Sequence, residues 1–330
     1  MKKKRAQPVI FLLLLAPMLG ELLSGSQPPV DYFQIIPFLL LTMLYGVGAV
    51  LIRETVRRWD KGWVSIILLG MAYGIFEEGA MVRSFFDPSW PDLQLLASYG
   101  RWIGINWIWA IALTLFHSIV SITVPIMITE LVFHRQKQDL WLSKKAFITF
   151  WAIFSINLFL GPLFGMKITV LGMVASFISI TGLALLANTW TEEPESDQRA
   201  VAREWKIVLA GFILMALFIA GMWIFPALNI PWVLDFFYLS FLPWVGMAWM
   251  NRLGRKGWAE RHEWAAATGL LIPWLLLAII SELDNASRVD DTSGMSLVAA
   301  GFAVFLIVLR VMIARRETEN SLTEQGIERR

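Results

Sequence analysis

The chain has 330 residues, of which 57% are hydrophobic and only 16% charged, with a mean hydropathy of +0.61. Soluble domains carry about 25% charged residues, so a surface facing water on all sides is excluded. The net charge of +2 gives no electrostatic ground for binding nucleic acid, and the absence of cysteine excludes disulfides, thiolate chemistry and Cys-based metal centres.

Long apolar runs occupy roughly 8–25, 32–55, 63–86, 102–134, 145–165, 167–189, 205–225, 231–251, 263–283 and 294–314. Each approaches the roughly 20 residues that cross a bilayer as a helix. Lipid offers the backbone no hydrogen-bond partner, so spans are helices or barrel strands, and continuously apolar runs of this length are helices. The expected fold is an all-α polytopic membrane helix bundle of about ten transmembrane helices. The start, Met1-Lys2-Lys3-Lys4-Arg5 before an apolar run, imitates a signal peptide. No A-x-A site follows and Glu21 interrupts the run, so an uncleaved first helix is expected.

Basic residues set the expected orientation. With the N-terminus inside and the spans alternating, the inner segments hold 22 of the 28 Lys and Arg residues. Both termini are therefore expected in the cytoplasm, with the chain in the inner (plasma) membrane and the lipid bilayer as its first partner. Trp residues flank the spans, as at Trp59, Trp63, Trp102, Trp141, Trp190, Trp205 and Trp258, in the manner of interfacial belts. The run 102–134 exceeds one crossing and is expected to tilt, extend or kink at Pro125. The polar stretch 191–204 reads as a cytoplasmic linker dividing six helices (1–190) from four (205–314). The charged tail 315–330 is expected to be cytoplasmic and disordered. A short echo, Arg58-Trp59-Asp60-Lys61-Gly62-Trp63 against Arg255-Lys256-Gly257-Trp258, raises the question of a parallel repeat of helices 1–4 and 7–10.

Ionisable residues at bilayer depth are costly and are candidates for function by default. In chain order the first is Glu21, near the outer end of helix 1. Glu54, with Arg57 and Arg58 one turn on, reads as a snorkelling ion pair at an inner helix end. In helix 3, Gly70, Gly74 and Glu78 share one face, and small residues at that spacing let a second helix approach. That spacing carries Glu78 into a helix interface. Glu77 lies about 100° round, one turn beyond Tyr73. Two adjacent carboxylates in a low dielectric do not both ionise readily, which suits acid–base work, proton coupling or metal binding. In helix 4, Asn106 and His117 are eleven positions apart and share a face flanked by Thr114 and Ser121. His117 is the one histidine at membrane depth. Glu130 reads as interfacial, Asp235 and Glu282 as helix-end residues, and Asn157 as helix–helix glue. By depth, Glu21, Glu77, Glu78, Asn106 and His117 fit one polar pocket open to the outside.

No G-x-x-x-x-G-K-[ST], H-E-x-x-H or G-x-S-x-G motif occurs. No cofactor is expected, and a metal is left open. Glu77-Glu78 followed by Arg83, with a membrane histidine in the next helix, resembles the CAAX-protease and bacteriocin-processing family of glutamic intramembrane proteases. The resemblance implies a water-activating Glu78 or Glu77, assistance from His117 and oxyanion support from Asn106. The pattern from Ala16-Pro17 to Glu21 and then Ser24-Gly25-Ser26-Gln27-Pro28-Pro29 also resembles uncharacterised bacterial membrane proteins. Three readings follow. One is an intramembrane hydrolase built on Glu77, Glu78, His117 and Asn106. The second is a proton-coupled transporter using the same carboxylates, with Glu21, Tyr73 and Arg83 on the substrate or proton path. The third is a non-catalytic assembly partner. The substrate in the first two is membrane-embedded or a small molecule.

Overall fold

The structure is a computed structural model that describes residues 2–160, 170–191, 199–254, 256–284 and 290–328. It is an all-α polytopic membrane bundle, with ten main helices among the described residues. Helix α1 runs over Lys2–Pro17 and on through Met18–Leu22. It is followed by α2 (Ile35–Arg58), α3 (Trp63–Met81) and α4 (Trp107–Val132), then α5 (Lys144–Ile156). Next come α6 (Val170–Thr189), α7 (Glu204–Ala227), α8 (Trp232–Arg252), α9 (Glu260–Leu283) and α10 (Met295–Glu328). Eight of these are long and apolar enough to cross a bilayer, the exceptions being α1 and α5. The ends of the expected spans at 161–165 and 167–169 lie outside the described residues. So do 192–198 of the expected linker and Arg255 of the echo.

The helices sort around α4, which packs against α1, α2, α3, α8 and α9, while α6 covers α3 and α7 pairs with α9. Glycines set the closest approach: a methyl group at Gly70 would stand 2.9 Å from Ser118 Cα of α4, and one at Gly74 would stand 3.2 Å from His117 Cβ. Ser118 Oγ also donates to the Ile67 carbonyl of α3 at 2.7 Å, and Ser65 Oγ donates to the Ala187 carbonyl of α6 at 2.7 Å. Between lipid-embedded helices the solvent gives little drive, so such close contacts and interhelical hydrogen bonds hold the bundle together.

Five helices contain a widened, π-type turn: Met18–Leu22, Thr42–Gly46, Ile75–Met81, His117–Thr123 and Ala220–Ile224. Such turns fit an extra residue into a helix and recur at functional sites. Pro125 and Pro226 each follow their wide turn by two positions. Proline lacks the N–H that would close an α turn and its ring crowds the carbonyl four residues back, so the ladder reopens there. The expected irregularity at Pro125 is thus a widening of α4.

Three sequence expectations are corrected. Residues 101–106 form a two-stranded hairpin, β1 (Arg101–Trp102) against β2 (Ile105–Asn106), and α4 starts only at Trp107. The turn holds Ile103 and Gly104, both at positive φ, which keeps the chain out of the helix. The tail is helical to Glu328. Arg316 bonds Glu260 at 3.1 Å and the Leu131 carbonyl at 2.8 Å, and Glu317 bonds Arg261 at 3.0 Å. These ties anchor the extension. Finally, Glu54 does not snorkel. Arg53, Glu54 and Glu130 are fully buried, and Arg53 bonds both carboxylates, at 3.0 and 3.1 Å. The Arg53 guanidinium also lies 3.7 Å over the Trp141 ring. Glu54 accepts the backbone N–H of Trp141 and Leu142, and Arg53 donates to the Asp139 carbonyl. The loop between α4 and α5 folds onto these charges and satisfies them, as buried ions require.

Candidate functional site

Four of the five wide turns meet at one place. Met18–Leu22 presents Glu21, Thr42–Gly46 presents Tyr45, Ile75–Met81 presents Glu77 and Glu78, and His117–Thr123 presents His117 and Ser121. Glycines make the room. A side chain at Gly20 would strike the Tyr45 ring and Ser121 Oγ, and one at Gly48 would strike the Tyr73 ring.

The Tyr45 hydroxyl is hydrogen-bonded to both Glu21 Oε1 and Glu77 Oε1. His117 Nε2 lies 3.1 Å from Glu78 Oε1, and Nδ1 lies 3.1 Å from Ser121 Oγ and 3.5 Å from Glu77 Oε2. Behind Glu78, Ser84 Oγ donates to Oε2 and in turn accepts from Trp109 Nε1 at 2.9 Å. The Tyr45 and His117 rings stand 5.8 Å apart, and Tyr73 packs on both. Glu77 Oε2 and the Tyr73 hydroxyl are buried without a hydrogen-bond partner. Glu77, Glu78 and His117 each offer a ligand atom, and these atoms lie within 4.8 Å of one another. The arrangement can relay protons, activate a water between carboxylate and imidazole, or hold a cation.

Of the five residues that depth alone grouped, Glu21, Glu77, Glu78 and His117 are therefore brought together, with Tyr73 packed beside them. Asn106 is engaged elsewhere. Its Oδ1 caps α4 by accepting the Trp109 N–H at 3.0 Å, and its Nδ2 donates to the Leu96 carbonyl at 2.6 Å. The common face with His117 is lost because Asn106 precedes the helix. Arg83, five positions past Glu78, lies beyond the end of α3 in left-handed backbone (φ 67°). Tyr45, Ser84 and Trp109 were not singled out from the sequence. Tyr45 carried a signal, a hydroxyl in mid-span among Thr42, Gly46 and Gly48, but nothing in one sequence says which helices are neighbours.

Residues 10–323 match the model of an uncharacterized membrane protein family. The chain belongs to that family. Membership covers nearly every helix and fits the resemblance of the N-terminal pattern to uncharacterised membrane proteins. It does not support the resemblance of Glu77-Glu78 and Arg83 to the CAAX-protease and bacteriocin-processing family. No curated protein and no solved structure matches the chain. In this family member Glu77, Glu78 and His117 form a buried ionisable cluster on α3 and α4.

Proposed function

We infer that the protein is an intramembrane hydrolase acting on an apolar or membrane-embedded substrate. The observation that carries this reading is the bond of His117 Nε2 to Glu78 Oε1 at 3.1 Å, one helical turn from an apolar cavity of about 370 Å³. Ile75, one turn before Glu78, lines that cavity, as do Thr114, one turn before His117, and Phe85, next to Ser84. Across it stand Ser176 of α6 and Leu239 and Pro243 of α8. A cavity of this size accepts a short apolar segment or an acyl chain. Glu78 takes a proton from water as it attacks a carbonyl. His117 is placed to pass that proton to the leaving group. With both termini in the cytoplasm of the inner membrane, as the basic residues favour, the site faces the outer half of the bilayer.

The series Glu21, Tyr45, Glu77, His117, Glu78, hydrogen-bonded except for the 3.5 Å contact between Glu77 and His117, favours a second reading, proton-coupled transport. One comparison separates the two. Membranes carrying wild type or Glu78→Gln are examined by mass spectrometry for cleaved peptides and lipids, and by a pH-sensitive dye for proton flux in vesicles. Products that appear only with wild type support the hydrolase. Identical product profiles overturn it, and a flux abolished by Glu78→Gln then supports the transporter.

A further inference from the structure

We propose that Glu77, Glu78 and His117 bind one divalent first-row cation, with Zn2+ the best match to the donor set. The proposal holds whether or not the site hydrolyses anything. Each of the three side chains has one polar atom tied by an outer hydrogen bond and the other left for a shared centre. Glu77 Oε1 is held by Tyr45, leaving Oε2 buried with no hydrogen-bond partner. Glu78 Oε2 is held by Ser84, itself held by Trp109, leaving Oε1. His117 Nδ1 is held by Ser121 at 3.1 Å, leaving Nε2. Outer bonds of this kind fix the tautomer and orientation of metal ligands.

The electrostatics agree. An Nδ1–H donated to Ser121 leaves the Nε2 lone pair facing Glu78 Oε1 at 3.1 Å. A positive centre between these two atoms makes the approach favourable, a cation in this tautomer or the Nε2 proton in the other. Zn2+ bonds nitrogen and oxygen at about 2.0–2.2 Å, which puts tetrahedral ligand atoms roughly 3.3–3.5 Å apart. His117 Nε2 and Glu78 Oε1 already stand at 3.1 Å, and the whole set lies within 4.8 Å, so closing on one ion needs carboxylate shifts of up to about 1.5 Å. A second observation stands outside the ligand set. The Tyr73 hydroxyl is buried beside the Glu77 carboxylate and makes no full hydrogen bond there, so it can turn to a water in the fourth position. One nitrogen and two carboxylate oxygens with no thiolate suit Zn2+, Mn2+ or Fe2+ over soft-ligand metals, and three ligands leave the open position of a catalytic site.

The test uses the full chain, purified in detergent, stripped with chelator and reloaded with Zn2+ or Co2+. Metal analysis is expected to give one equivalent per chain, and Co2+ to give the intense visible bands of a four-coordinate ion. His117→Gln should lose both signals while staying monodisperse and helical. Ser121→Ala keeps all three ligands and should weaken Co2+ binding about 10-fold. That second variant keeps the test decisive if His117→Gln fails to fold. Wild type without bound metal, metal retained equally by the variants, or only the weak spectrum of hydrated Co2+ would each overturn the proposal. The readout needs no substrate, so a missing hydrolase activity is distinguishable from a missing metal.

Discussion

Gly70 of α3 lies against Ser118 of α4 so closely that a methyl group at position 70 would stand 2.9 Å from Ser118 Cα. The atoms it would meet are backbone as well as side chain, and backbone in a packed helix cannot move aside alone. Gly70→Ala is therefore expected to part α3 from α4 and to cost about 1–3 kcal/mol. Gly182→Ala on α6 has nothing within 4 Å and should be neutral. Thermal unfolding of both variants in detergent checks the contrast, and equal melting temperatures would refute it.

The ion cluster at the opposite end of α2 makes a second expectation. Arg53 has no exposed surface and bonds both Glu54 and Glu130. Arg53→Met leaves Glu130 with Arg57 and Glu54 with Arg58 and two backbone N–H groups, so the loss should sit near the low end of the range for a broken buried pair, about 3 kcal/mol. Arg58→Met removes a partly exposed contact to Glu54 and should cost under about 1 kcal/mol. Expression level and denaturation midpoint of the two variants should rank in that order.

Tyr45 bridges two carboxylates on two other helices. Tyr45→Phe should remove about 1.5–3 kcal/mol, the range for hydrogen bonds to charged groups. Once the hydroxyl is gone, Glu21→Gln has less left to remove. A double-mutant cycle between positions 21 and 45 should give a coupling of about 0.5–3 kcal/mol, and strict additivity would show that the bridge is not energetic.

Asn106→Ala should behave as a lost helix cap, costing about 1–2 kcal/mol and leaving metal binding by Glu77, Glu78 and His117 unchanged. A variant of wild-type stability that no longer binds metal would return Asn106 to the chemistry.

Asp87 lies in the loop outside the spans. Hydrogen bonds from the Ser89 hydroxyl and backbone N–H hold its carboxyl below the usual carboxylate range. A depressed carboxylate contributes stability above its unfolded value, about 3.9, and loses it as pH falls through the lower folded value. Amide exchange at Ser89 should therefore accelerate as the pH drops below about 4 in wild type, relative to Asp87→Asn.

How far the residues spoke for themselves differs between the two ends of the bundle. The apolar runs placed the ten helices because length and hydropathy are local properties. Gly70, Gly74 and Glu78 announced an interface because helical periodicity is local as well. The partner of that interface, His117 of α4, followed only from shared depth. Tyr45 stayed hidden because it reaches Glu21 and Glu77 across helix boundaries. Arg53, Glu54 and Glu130 looked like ordinary helix-end charges. Their burial depends on the 133–143 loop folding back, which no periodic pattern records. Asn106 was misplaced because α4 begins at Trp107 and not at residue 102, enough to convert a site candidate into a cap.

The wide turns can also be described as arithmetic on codons. A π-type turn arises when one additional residue is inserted between helix ends that neighbouring helices already fix. Removing one residue from 75–81 or from 117–123 would restore an ordinary turn there and rotate Glu77 and Glu78, or His117, away from the common centre. The long-range packing on either side would persist. The same bundle can therefore carry the cluster or lack it through single-residue insertions and deletions, so chains of this family that differ in length by one residue within α1–α4 should also differ in whether they retain the site.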